Sequence, residues 1–156
     1  MDNPYRLVVE NDPDPFDLAL LEARLTDAAV EAVGHGPDRE FGIFVRDENG
    51  RVMAGVSGMF WAGCCQIHAL WVDEQLRGHG LGRELMIAAE DEARRQRCRL
   101  LMGLTYDVLT AHFYDRLGYR TVGAIEDCPA GTTTRWYCKD LSDSDRHGAH
   151  TWTEHP

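Results

Sequence analysis

The sequence predicts a single α/β domain. Three observations carry that prediction. Runs rich in β-branched and aromatic residues alternate with helical apolar patterns. A glycine-rich turn joins one such run to a long amphipathic stretch. A chain of 156 residues buries one core comfortably and is short for two. No internal repeat or interior linker divides it, so residues 1–141 are expected to form the domain and residues 142–156 a loosely held polar tail.

Tyr5–Val9 is a short β-rich run, closed by the breaker cluster Asn11-Asp12-Pro13-Asp14-Pro15. Leu18, Leu21, Leu25, Ala28 and Ala32 then recur at helical spacing, and Gly34 suits the stop. Phe41–Arg46 and Val52–Phe60, with Asn49-Gly50 between them, read as a hairpin. Ile67–Val72 is an apolar strand that runs into Gly78-His79-Gly80-Leu81-Gly82. A long helix follows, with Leu81, Leu85, Ala88, Ala89 and Ala93 inward and the pairs Glu90–Arg94 and Asp91–Arg95 at i,i+4 spacing. Leu100–Thr105 is a strand, Leu109–Leu117 a short helix stopped by Gly118, and Tyr119–Ile125 and Thr132–Lys139 the last two strands.

Composition narrows the function. Twenty-six Asp+Glu against 16 Lys+Arg give a net charge of −10, which disfavours nucleic acid, whose phosphates repel an acidic chain. A cationic partner would instead be drawn in. The least polar stretch, Val52–Cys65, is too short to span a bilayer, and Met1-Asp2-Asn3-Pro4 lacks the basic start of a secretory leader. A cytoplasmic location without membrane attachment is expected. Five cysteines with no C-x-x-C pair suggest neither a disulfide framework nor a zinc site, and Cys64-Cys65 fits opposite faces of a strand. The tail histidines His147, His150 and His155 are read as part of a disordered segment rather than as metal ligands, so no metal is expected.

The glycine-rich turn is the most informative segment. A strand, a glycine turn and a helix start together aim backbone N–H groups and a positive dipole end at one place. The P-loop pattern fails because the chain's one lysine is Lys139. The dinucleotide pattern fails because Arg83 stands where its third glycine belongs. The pattern R/Q-x-x-G-x-G/A is met in full by Arg77-Gly78-His79-Gly80-Leu81-Gly82. That segment resembles the pyrophosphate arm of the GNAT N-acetyltransferase family. Ala111-His112-Phe113-Tyr114-Asp115-Arg116-Leu117-Gly118-Tyr119 is similar to a later helix-to-strand segment of the same family, and Asp127–Leu141 to the closing hairpin of some small bacterial members.

The resemblance implies a mixed central sheet of about six to seven strands flanked by helices. It also implies acetyl-CoA as co-substrate and a primary amine as acceptor, on a small molecule or a peptide. Backbone groups of Leu70, Trp71 and Val72 would run beside the pantetheine, and the turn Arg77 to Gly82 would hold the pyrophosphate, His79 through its backbone. An N–H near Val72 would face the thioester oxygen. Tyr114 matches the tyrosine that protonates the departing thiolate. Gln66-Ile67-His68 is similar to the His-x-His of serotonin N-acetyltransferase, which makes His68 the candidate base, with Asp73 and Glu74 as rivals. Asp107 departs from the family pattern, which has asparagine there.

Residues 1 to 40 carry ten acids and three arginines, a net charge of −7, which favours a cationic acceptor. A homodimer is compatible with the resemblance. The alternative function is a catalytically idle acyl-CoA-binding module.

Overall fold

A computed structural model describes residues 6–34, 39–107 and 112–142. They fall into two compact units, divided after Pro37.

The first unit is built on one helix, α1 (Pro15–Val33). The Asp14 side chain caps it by accepting from the Phe16 N–H at 2.9 Å, with Pro15 in the first turn. Gly34 ends it in the left-handed region at φ 73°, donating to the Val30 carbonyl. The Gly34 stop agrees with the sequence expectation. The expected strand at Tyr5–Val9 does not form over its described part, residues 6–9, which join none of the paired strands. β-propensity measures fit to a paired, half-buried surface, and this run has no partner strand.

The second unit is a six-stranded mixed sheet. Its strands are β1 (Arg39–Arg46), β2 (Val52–Trp61), β3 (Cys64–Val72), β4 (Leu100–Tyr106), β5 (Arg120–Ile125) and β6 (Thr134–Asp140). The spatial order is β1-β2-β3-β4-β6-β5, and only β3–β4 is parallel. A parallel neighbour requires a crossover, which helix α2 (Leu81–Arg95) supplies. A short 3-10 turn, Glu74–Leu76, precedes it, and a single helical turn, α3 (Phe113–Arg116), precedes β5. The expected helix Leu109–Leu117 is thus observed at its C-terminal end; residues 109–111 lie outside the described residues, as does the tail from residue 143.

The core forms where α2 lies on the sheet. Leu85, Met86, Ala89 and Ala93 pack against Ala54, Val56, Cys65 and Leu101, all at most 4% exposed. Met86 joins the inward face although the expected stripe omitted it, and Ala88 is only half-buried. Glu90 is also buried, at 5% exposed, and its expected i,i+4 pair with Arg94 forms at 3.5 Å. Asp91 pairs with Arg94 rather than Arg95, which takes Glu92 instead. No helix among the described residues is long and apolar enough to cross a membrane.

Two irregularities in β3 position the site. Ser57 pairs with Ala69 but Gly58 pairs with Ile67, so His68 is an extra residue, a β-bulge. The bulge needs Gly58: a Cβ there would lie 2.1 Å from the Gln66 carbonyl oxygen. Beyond it the inward parity of β3 shifts, from Cys65 and Ile67 to Leu70 and Val72. The pairing of β3 with β4 also stops, at Ile67↔Gly103, and the two strands part.

Candidate active site

A groove of about 1100 Å³ opens where β3 and β4 part. His68, Leu70, Trp71 and Val72 line it from β3. Arg77, Gly78 and Gly80 enter from the loop, followed by Leu81, Gly82 and Arg83 from the first turn of α2. Leu104, Thr105 and Tyr106 close the β4 side, with Phe113, Tyr114 and Arg116 from α3. His68, Tyr114 and the expected cofactor-binding residues reach this groove, except His79, an exposed loop residue outside its lining.

The loop owes its shape to two left-handed glycines, Gly78 at φ 81° and Gly80 at φ 84°. Gly80 caps α2 without a side-chain hydrogen bond. The N–H groups of the first helical turn therefore remain open to an external acceptor, at the positive end of the helix dipole. Arg77 ties the loop back to its strand, Nε donating to the Val72 carbonyl at 3.0 Å. The charge around the loop is unusual for this chain. Arg77, Arg83 and Arg116 line the groove, with no Asp or Glu among the described residues of its lining, although the chain as a whole carries −10. Such a groove fits a polyanionic ligand. Arg83, Arg116 and Phe113 had no expected role in the groove; the charge of Arg83 beside the glycine turn could have flagged it, whereas Arg116 comes from a segment far along the chain.

Tyr114 is 6% exposed. Its ring stacks on Tyr137 and meets Phe113 and Tyr119 edge-on. Burial, then the neighbouring Tyr137, pushes its phenol pKa above the usual value, so it stays protonated at neutral pH. His68 stands exposed on the bulge. Asp73 accepts from the Gln75 N–H at 3.0 Å and caps the 3-10 turn, and neither Asp73 nor Glu74 lines the groove. Asp107 accepts from Arg135 Nε at 2.6 Å, which neutralises the carboxylate that replaces the expected asparagine.

The acetyltransferase (GNAT) family matches this sequence over residues 5–119. The chain belongs to that family. This GNAT protein is an acetyl-CoA-dependent N-acetyltransferase with the family's mixed open sheet. It is 33% identical over 106 residues to the blasticidin-S acetyltransferase of Streptomyces morookaense, covering 67% of this chain and 78% of that protein. An acetyltransferase of Agrobacterium fabrum is 28% identical over 106 residues, covering 66% of this chain and 75% of its own length. In fold, the GNAT chain superposes on a solved structure from Agrobacterium tumefaciens with a TM-score of 0.82 and 24% identity, over 87% of this chain and 99% of that one.

Proposed function

We propose that the protein transfers an acetyl group from acetyl-CoA directly to a primary amine of a cationic small molecule or peptide, within a ternary complex. One observation carries the reading: His68, Tyr114 and the glycine loop, distant in sequence, line a single groove.

The chain's own groups then have distinct tasks. The unpaired edge of β3 at Leu70, Trp71 and Val72 holds the pantetheine as an added strand would. The Arg77-to-Gly82 turn and the start of α2 hold the pyrophosphate, and the groove arginines answer its charge. A backbone N–H near Val72 faces the thioester oxygen as charge develops there. His68 takes a proton from the acceptor ammonium, directly or through one water. As the amine nitrogen bonds to the acetyl carbon and the carbon–sulfur bond breaks, Tyr114 gives its proton to the departing sulfur, and the proton that the new amide nitrogen sheds restores the phenol, directly or through water. Both substrates held in one groove supply much of the acceleration.

The net charge of −7 over residues 1 to 40 favours a cationic acceptor. Blasticidin S is the first to try, given the relative named for it. The test is CoA release across a panel of amines that includes blasticidin S, aminoglycosides, polyamines and basic peptides. Turnover confined to cationic primary amines is expected. Acetyl-CoA binding with no CoA release on any of them would identify an idle acyl-CoA-binding module and overturn the proposal.

A further inference from the structure

Glu90 takes no part in the reaction outlined above, yet its carboxylate is buried inside α2's sheet-facing side. Lys139 of β6 donates through Nζ to both of its oxygens, at 2.8 and 2.9 Å. The same ammonium donates to the Leu117 carbonyl at 2.8 Å, which occupies all three of its donors. The Tyr119 hydroxyl donates a hydrogen bond to Glu90 Oε1 at 3.0 Å, and Lys139 Nζ stands 5.2 Å from the centre of the Tyr119 ring. Arg94 completes the set at 3.5 Å.

Every thread of this cluster leads to Tyr114. Leu117 closes α3, and its N–H donates to the Tyr114 carbonyl at 3.0 Å. The Tyr119 N–H donates to the same carbonyl at 3.0 Å, while the Tyr119 ring meets the Tyr114 ring edge-on at 5.5 Å. Lys139 thus grips the chain on which Tyr114 hangs, and Glu90 fixes the aromatic wall beside it. A buried ion pair gains little stability over apolar residues of the same shape. What it does supply here is geometry.

We propose that Lys139, Glu90 and Tyr119 form a positioning network that sets the place and tilt of the Tyr114 phenol in the groove. Its effect on rate rests on the reading of Tyr114 as proton donor; its effect on the ring does not.

The test uses Lys139→Met and the charge-neutral pair Glu90→Gln/Lys139→Met. The pair is included because Lys139→Met alone strands a buried carboxylate and can unfold the chain. Two readouts are taken: the Tyr114 signal in protein labelled with 13C at tyrosine Cζ, and kcat in wild-type and Tyr114→Phe backgrounds. In folded variants the Tyr114 signal is expected to move, acetyl-CoA affinity to hold, and kcat to fall about 10- to 100-fold. That fall is expected to vanish when Tyr114 is already phenylalanine. A Tyr114 signal unmoved in the folded pair variant overturns the proposal, as does an equal loss of kcat in both backgrounds. If Tyr114→Phe alone keeps wild-type kcat while the signal still moves, the donor reading fails and the positioning network stands.

Discussion

The ring of Tyr114 stacks on that of Tyr137, centroids 4.9 Å apart and planes 24° from parallel. The stack leaves little freedom for a side chain proposed to deliver one proton to one sulfur. Tyr114→Phe keeps the ring and removes the proton. It is expected to lower kcat about 10²- to 10⁴-fold, the range of a positioned acid, with acetyl-CoA affinity unchanged. Steady-state kinetics with calorimetry check both halves, and a rise in KM alone would reduce the hydroxyl to a substrate contact.

His68→Gln removes the proposed base from the bulge. Its loss of rate is expected to be largest near neutral pH and to shrink as pH rises, where more acceptor amine is already neutral. A rate deficit that stays constant across the pH profile would argue against the role.

Gly80→Val puts a β-branched residue where φ is +84°. No atom lies within 4 Å of the added Cβ, so the cost is backbone strain and a blocked ligand approach rather than a clash in the free protein. Acetyl-CoA affinity is expected to weaken at least tenfold, about 1.4 kcal/mol, in a folded protein. Unchanged affinity by calorimetry would remove the loop from the cofactor site.

Gly58→Ala tests the bulge from the neighbouring strand. A Cβ 2.1 Å from the Gln66 carbonyl oxygen forces the backbone to shift. The expected destabilisation is about 1–3 kcal/mol by urea unfolding. Activity is expected to fall with it, because the same shift displaces His68. Full activity at lowered stability would separate the bulge from the chemistry.

Stability is expected to fall in alkali. Burial first, then the neighbouring thiols Cys98 and Cys64, raises Cys65 from 9.0 to about 12. Burial also raises Tyr114 and Tyr119 above 10.0. Above pH 9.0 the unfolded chain releases protons that the folded chain retains, so unfolding gains on folding. The contribution is complete below pH 9.0 and disappears as pH rises toward about 12. Urea midpoints at about pH 7 and about pH 11 give the sign; an equal midpoint would contradict these shifts.

What the sequence revealed, it revealed through local chemistry. The glycine turn was legible because left-handed backbone and close approach demand glycine at fixed spacing, and Gly78 and Gly80 meet that demand. Gly34 was legible as a helix end for the same local reason. Long-range geometry was not. Nothing in Gln66-Ile67-His68 announces a bulge, because register is set by the partner strand and by Gly58 across from it. Glu90 reads as one half of an i,i+4 surface pair until β6 brings Lys139 to it from 49 residues away. Met86 falls just beside the expected apolar stripe, yet is fully buried because α2 presents a broad face to the sheet.

The parting of β3 from β4 has a mechanical consequence. Among the described residues, four residue pairs, Cys64–Ile67 with Leu100–Gly103, form the whole strand ladder between β1-β2-β3 and β4-β6-β5. Helix α2 makes most of its sheet contacts with β1, β2 and β3 and carries the glycine loop with them, whereas Tyr114 rides on Tyr137 in the other half. The sheet is therefore built like a clothes-peg, sprung at one end, with the Glu90–Lys139 clasp set across the two arms. A molecule that bridges them would act as the missing rung of the ladder, and backbone amides along the open edge of β3 would then exchange with solvent more slowly.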